Sequence, residues 1–286
     1  METMANSLTP VMTTAAGSCL TGANCTEVHI NQAAYHLDDL LIKPGLSVLM
    51  KVPDLKQYTS WSGTLVLNAS NLVTNKTGIY LLTSPYDGSK TQFNALQLME
   101  LIVHLKPDAV ILPPGLVALV PELWSQLTET IFPIIAVDAI EQLQISRPYG
   151  VYFNADNYKS TVELIEHLDS YSHRPCYVAG TIDLDLIKQL QIKGISYIES
   201  DLPAKDALQG TVYTHSGSID LTQSSNAMDF ELIESGCTCP TCSQNFTKAY
   251  LHHLYLHTPL LCQRLLIQHN LYYSQNQGES VAIHLP

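Results

Sequence analysis

Short runs of β-branched and aromatic residues recur along the middle of the chain, and each ends in polar or turn-forming residues. Seven runs are predicted strands, at residues 63–68, 79–83, 109–112, 134–137, 150–154, 176–179 and 195–199. Helical patterns fall between several of them, at residues 91–105, 122–131, 160–168 and 184–192. Strands that alternate with helices indicate βαβ units and a parallel sheet. Seven or eight such units predict an α/β fold of the (β/α)8 TIM-barrel type, and a doubly wound open sheet is the alternative.

The pattern changes after about residue 210. Residues 212–221 are a candidate hairpin, and three closely spaced cysteines follow them. An apolar helix is predicted over residues 246–257. Thr258 and Pro259 then provide an N-cap with proline at the first helical position, which predicts a second helix to about residue 273.

Composition narrows the possible functions. The chain has 286 residues, with 26 acidic and 14 basic ones, and a formal charge of −12. A protein that grips nucleic acid normally carries a basic patch, so we expect no DNA binding and contact with RNA only through a partner. The first residues lack a signal-peptide pattern, and no apolar run is long enough to predict a membrane span. We therefore expect a cytoplasmic protein, in which clustered cysteines indicate metal ligands or catalytic thiols.

Three cysteines lie within six residues, at Cys237, Cys239 and Cys242. A tetrahedral Zn²⁺ site needs one more ligand, and such a closed site is structural rather than catalytic. A redox pair is the rival interpretation, but it would need no third cysteine. The residue types leave five candidates for the fourth ligand: His252, His253, His257, Cys262 and His269.

The segment CTCPTCSQNFTKAYLHHL, followed by LLIQHNLYY, resembles the zinc-binding end of the tRNA-guanine transglycosylases. Shorter similarities precede it, at residues 9–13, 33–45, 87–90 and 194–210. The resemblance implies one Zn²⁺ held by Cys237, Cys239, Cys242 and His269, and a (β/α)8 barrel with a C-terminal zinc-binding subdomain. Because the chain is short for this family, we expect a trimmed barrel. We assign the barrel to residues 1–210, the zinc-binding subdomain with its two helices to residues 211–274, and a tail to residues 275–286.

The family exchanges guanine at the tRNA wobble position for a 7-deazaguanine base, using two catalytic aspartates. At the positions that resemble these aspartates, this chain has Asn68 for the proton-handling residue and Glu199 for the nucleophile. Asparagine takes no proton at neutral pH, and glutamate is one methylene longer than aspartate. Residues 110–115 stand where the family has its base-recognising aspartate, and Lys205 and Leu208 stand at its tRNA-contacting arginines.

These departures together predict no catalytic residues. With these departures the chain resembles the non-catalytic accessory subunit of the heterodimeric eukaryotic enzyme, and the resemblance implies that it supports queuine exchange through a catalytic transglycosylase subunit. The pairing would be a heterodimer, or a homodimer of this chain, through the zinc-binding subdomain, with tRNA contacted indirectly. We expect part of the apolar set Tyr250, Leu251, Leu254, Tyr255 and Leu261 to form the exposed pairing surface.

Two alternatives stay open at the sequence level. The first is an active transglycosylase-like enzyme, in which Glu199 or Asp201 serves as the nucleophile on a different nucleobase or nucleoside. The second is a zinc-stabilised barrel with an unrelated ligand, shaped by Tyr35, Tyr86 and Tyr152.

Overall fold

Eight parallel strands form the central sheet of the computed structural model, which describes residues 8–120, 122–142, 145 and 147–275. Their order in the sheet is β1-β10-β9-β8-β7-β6-β3-β2. The strands of the whole chain are β1 Leu8–Thr9, β2 Gln32–His36, β3 Thr64–Asn68, β4 Ile79–Thr83, β5 Lys90–Asn94, β6 Ala109–Ile111, β7 Phe132–Ala136, β8 Gly150–Asn154, β9 Cys176–Ala179, β10 Tyr197–Glu199, β11 Thr211–Thr214 and β12 Gly217–Asp220.

The two outermost strands of this order, β1 and β2, meet and close the ring. Val11 forms a parallel bridge with Ala34. The backbone N–H of Met12 donates to the carbonyl of Ala34 at 2.9 Å, and the N–H of Ala34 donates to the carbonyl of Pro10 at 2.9 Å. The predicted TIM-type barrel is therefore confirmed, with eight strands.

Both faces of the barrel strands are apolar, as buried parallel strands require. Val66, Ile111, Ile134 and Tyr177 belong to a small cluster inside the ring. The alternate positions, such as Leu67, contact the larger core between the sheet and the helices. The barrel interior is therefore filled by apolar side chains, and we expect a functional site at the strand ends.

Helices surround the barrel, and several begin at a side-chain cap. Asn94 accepts from the N–H of Gln97 and starts the longest helix before residue 200, and Asp183 does the same for Leu186. The α-helices are α1 Gly22–Glu27, α2 Leu37–Leu40, α3 Leu46–Leu49, α4 Leu55–Thr59, α5 Ala95–Leu105, α6 Leu116–Leu119, α7 Leu123–Gln126, α8 Thr161–Asp169, α9 Leu184–Ile192, α10 Leu202–Leu208, α11 Pro240–Ser243, α12 Lys248–His257 and α13 Pro259–Gln275. Among the described residues, no helix has both the length and the apolar character needed to cross a bilayer.

Three sequence predictions about the barrel need correction. The helix expected over residues 91–105 begins only at Ala95, because residues 90–94 are strand β5 and Asn94 is the N-cap. The run at residues 79–83 is a strand, but β4 pairs antiparallel with β5 in a hairpin outside the ring. The helix expected over residues 122–131 is only α7, because the backbone at Leu127 turns to an extended ψ of 116°. The carbonyls that follow accept hydrogen bonds from a guanidinium instead of continuing the helix.

That guanidinium belongs to Arg147, in the connection between β7 and β8. It donates to the carbonyls of Leu127, Thr128, Glu129 and Ile131 at 2.8, 3.2, 3.3 and 2.9 Å. In the described part of this connection the only helix is a 3₁₀ segment, Val137–Gln142. In the described residues this connection therefore has no α-helix between β7 and β8, while both strands are present.

The C-terminal region joins the antiparallel β11–β12 hairpin to α12 and α13. Nearly every face of α13 from Leu265 to Leu271 is buried, which is typical of a helix surrounded by protein. Asn270 holds three segments together. Its side-chain amide donates to the carbonyls of Pro203 and Thr211, and its oxygen accepts from the N–H of Tyr213. The hairpin and α10 are thereby fixed to α13.

Candidate metal centre and polar cluster of the barrel

The structure brings Cys237, Cys239, Cys242 and His269 together, and their ligand atoms all lie within 4.8 Å of one another. Cys239 begins the short helix α11 as its N-cap, and its sulfur accepts the N–H of Cys242 at 3.3 Å. This turn points both sulfurs toward His269 on α13.

The spacing within the cluster fits a tetrahedral metal ion. The Nδ1 atom of His269 lies 3.4 Å from the sulfurs of Cys239 and Cys242, and 3.9 Å from that of Cys237. Zinc–sulfur bonds of about 2.3 Å and zinc–nitrogen bonds of about 2.0 Å place ligand atoms about 3.5–3.8 Å apart in a tetrahedron. Three thiolates and an imidazole are also the donors that Zn²⁺ takes in structural sites.

The orientation of His269 is set by its second ring nitrogen. Nε2 lies 2.8 Å from the carbonyl of Tyr213 and donates to it, which leaves the Nδ1 lone pair facing the cysteines. Such an outer hydrogen bond orients a metal-ligating histidine. By contrast, His252 is buried with its Nδ1 directed at the carbonyl of Leu221, 2.7 Å away. Of the five candidate fourth ligands, only His269 belongs to this cluster.

The thiols oppose one another electrostatically when no cation is present. Hydrogen bonds from Cys239 and Cys242 hold the pKa of Cys237 far below its usual value. Hydrogen bonds with Cys237 and Cys239, followed by burial, raise the pKa of Cys242 far above its usual value. A bound cation would let all three cysteines ionise together.

A second polar cluster lies at the carboxyl end of the barrel strands, where TIM-barrel sites are found. It is centred on Glu199, the last residue of β10, whose residue surface is only 6% exposed. Its Oε1 lies 3.0 Å from Nε2 of His36. Its Oε2 accepts from the amide of Asn68 at 2.9 Å and from the hydroxyl of Tyr177 at 2.5 Å. Both carboxylate oxygens of Glu199 are therefore engaged.

Glu199 and His36 are the two groups of this cluster that become charged, and each shifts the pKa of the other. Burial alone would lower the pKa of His36, but the hydrogen bond and charge of Glu199 outweigh it and raise that pKa to about 8. Burial would likewise raise the pKa of Glu199. The hydrogen bond and charge of His36, helped by Tyr177 and Asn68, outweigh it and lower the pKa instead. At neutral pH, Glu199 is therefore ionised and His36 is protonated, and the two side chains form an ion pair.

The predicted degenerate position Asn68 is also fully engaged. Its side-chain oxygen accepts from the N–H and the hydroxyl of Ser70, at 3.0 and 2.7 Å. Asp201, the alternative nucleophile, lies beyond β10 and pairs with Lys205 at 3.0 Å. It takes no part in the Glu199 network. The sequence prediction did not include His36 and Tyr177. The sequence signal for His36 is its position, because His36 ends β2 and is paired in register with Asn68, which ends β3.

An open cleft of about 760 Å³ adjoins this network along the ends of β3, β6, β7 and β8. Tyr152 lies on its wall and contacts Tyr177, with ring centroids 6.1 Å apart. The other two tyrosines considered from the sequence do not line the cleft. Tyr35 is buried in the core, and Tyr86 is 78% exposed beyond the hairpin strand β4. The prediction that Tyr35, Tyr86 and Tyr152 together shape one ligand site is therefore wrong.

Comparison with known proteins identifies the class of this chain. The family model described as queuine tRNA-ribosyltransferase matches residues 124–282, which include Glu199 and the Cys₃His cluster. This match covers more than half of the chain, so the chain belongs to the queuine tRNA-ribosyltransferase family. The resemblance to the tRNA-guanine transglycosylases is thereby confirmed.

Individual relatives match over shorter stretches. The queuine tRNA-ribosyltransferase of Protochlamydia amoebophila is 37% identical over 100 residues, which are 35% of this chain and 26% of the relative. That of Clostridium perfringens strain SM101 is 31% identical over 124 residues, 43% of this chain and 32% of the relative. The aligned part therefore spans about a quarter to a third of the length of these curated relatives.

Proposed function

We propose that this chain is a non-catalytic accessory subunit of a tRNA-guanine transglycosylase. It would support queuine exchange at the tRNA wobble position through a catalytic partner. The observation that carries the proposal is the state of Glu199, which stands where the family resemblance implies the nucleophile. This carboxylate is buried and accepts hydrogen bonds on both oxygens.

A carboxylate nucleophile needs a free oxygen lone pair aimed at an accessible carbon. To attack a ribose, Glu199 would have to break its contacts with His36, Asn68 and Tyr177 and leave the barrel interior. The lowered pKa of Glu199 reflects how strongly these contacts favour the anion where it stands. Asn68 in turn supplies an amide that donates to Glu199, where the family resemblance implies an acid–base group.

The alternative is an enzyme with Asp201 as its nucleophile. Its carboxylate pairs with Lys205 one helical turn away, at the start of α10. Apart from Lys205, the contacts of the described residues place no titratable side chain within hydrogen-bond distance of Asp201. These contacts favour a structural role for Asp201, and the accessory role remains our proposal.

We also propose one structural Zn²⁺ per chain, bound by Cys237, Cys239, Cys242 and His269. The metal would fasten α11 to α13, and through Tyr213 to the β11–β12 hairpin. A closed four-ligand site leaves no position for substrate, so its contribution is to folding.

The partner surface is proposed on α12 and the start of α13. Of the apolar residues expected there, Leu251 and Leu254 are buried and Tyr255 is half-buried, whereas Tyr250 and Leu261 are exposed. Leu256 and Leu260 add to the exposed set, with 58% and 76% of their surfaces accessible. We propose that these exposed side chains take part in the pairing, since exposed apolar surface is typical of an interaction site when it is contiguous.

Sedimentation velocity of the chain alone, and of its mixture with a catalytic transglycosylase subunit, tests the accessory role. We expect a complex with the catalytic subunit at micromolar concentration, or a homodimer of this chain. The double variant Leu260→Ser/Leu261→Ser should weaken that association. Val162→Ser, an equally exposed apolar change on α8, should leave it unchanged. A monomer in both experiments would refute the accessory role.

A further inference from the structure

His253 and His257 lie one helical turn apart on α12, and both are exposed. Their ring centroids are 4.5 Å apart. Residues at i and i+4 lie on the same face of a helix, so the two imidazoles project side by side into solvent. Neither residue belongs to the Cys₃His cluster, whose histidine is on α13.

We propose that His253 and His257 form a second metal site, a two-histidine chelate for a divalent transition-metal ion such as Zn²⁺, Ni²⁺ or Cu²⁺. Imidazole nitrogen is a preferred donor for these ions. Two nitrogens at about 2.0 Å from one ion lie about 3.4 Å apart in a tetrahedral arrangement. Rings whose centroids are 4.5 Å apart reach that separation by side-chain rotation alone, without any change in the helix.

The position along the helix also favours a cation. α12 ends at His257, and the C-terminal end of a helix carries a partial negative charge. The chain itself has a formal charge of −12. Two protein ligands leave the remaining coordination positions open to water or to a donor from another molecule. The site is therefore open and exchangeable, unlike the closed Cys₃His cluster.

The test uses the full chain without a polyhistidine tag, carrying one equivalent of Zn²⁺ in the Cys₃His cluster. Nickel chloride is titrated at pH 7.5 by isothermal calorimetry, because Ni²⁺ favours imidazole over a zinc-filled thiolate cluster. We expect one Ni²⁺ per chain. His253→Ala and His257→Ala should each weaken its binding about tenfold or more, since each removes the chelate. His173→Ala, which removes an exposed histidine elsewhere, should have no effect.

Nuclear magnetic resonance provides a second readout. Paramagnetic Ni²⁺ should first broaden the imidazole signals of His253 and His257, with the zinc content of the protein unchanged. The proposal is overturned if either single variant binds Ni²⁺ as the native chain does, or if the broadening begins at other histidines. These results would not bear on the accessory role, which depends on Glu199 and on the association experiment.

Discussion

The ion pair between His36 and Glu199 can be tested by the change Glu199→Gln, which keeps the side-chain shape and removes the charge. The hydrogen bonds from Asn68 and Tyr177 can persist to the amide oxygen. His36 stays buried but loses the partner that raises its pKa. We therefore expect the pKa of His36 to fall from about 8 in the native chain to below its ordinary value of 6.5 in the variant.

The expected size follows from the pKa of His36. A rise from 6.5 to about 8 corresponds to about 2 kcal/mol of additional interaction with the protonated ring. Because the pKa is raised on folding, this stabilisation is fully present below pH 6.5 and is lost as the pH rises through about 8. The lowered pKa of Glu199 acts in the opposite sense. Its contribution is present above its ordinary value of 4.5 and is lost as the pH falls through the lower folded-state value.

Urea denaturation at pH 6.5 and pH 9, with a nuclear magnetic resonance titration of His36, measures both effects. The free energy of unfolding of the native chain should fall by about 1.5 kcal/mol between these pH values through His36. In Glu199→Gln, the free energy of unfolding should lack this fall between pH 6.5 and pH 9. The matched control is Asp39→Asn, since Asp39 raises the pKa of His36 only through its charge and as the smallest contributor. An unchanged pKa of His36 in Glu199→Gln would show that the ion pair does not govern this site.

Two further predictions concern stability. Cys242→Ser should remove the bound zinc, measured by elemental analysis, and melt the C-terminal helices, measured by circular dichroism. His252→Ala, a buried histidine outside the cluster, should keep the metal, and zinc loss in that variant would contradict the ligand set. Arg147→Lys should lower the free energy of unfolding by about 1.5–3 kcal/mol, because a lysine cannot reproduce a guanidinium that serves four carbonyls. The control is Arg264→Lys, at an exposed arginine with one long hydrogen bond, which should change the free energy of unfolding by less than about 0.5 kcal/mol. An equal loss of stability in the two variants would refute the role given to Arg147.

The alternation of strands and helices was enough to predict the barrel, but not which strands belong to it. The strands β1 and β2 were missed because β1 is two residues long and β2, with the sequence QAAYH, has no β-branched residue. Strand β4 was assigned to the barrel because propensity identifies an extended run without identifying its partner. The end of α7 depends on Arg147, some twenty residues later in the chain. Periodicity within a window of residues 122–131 contains no information about that contact.

The candidate sites also depend on contacts between residues that are far apart in the sequence. The cysteine spacing predicted a metal cluster, but residue chemistry left five possible fourth ligands, and only the family resemblance pointed to His269. In the structure this choice depends on the fold, because α13 carries His269 back to the cysteine turn. The partners of Glu199 come from β2, β3 and β9, which are far apart in sequence. Only closure of the barrel brings them together.

Guanine exchange by the purified chain alone tests the central claim most directly. Labelled guanine is incubated with transfer RNA and the chain, with an active transglycosylase as the positive control. We predict no incorporation above background, and none in the double variant Asn68→Asp/Glu199→Asp, because residues 110–115 also lack the base-recognising aspartate. Incorporation by the native chain that is lost in Glu199→Gln or in Asp201→Asn would contradict the account and identify the nucleophile.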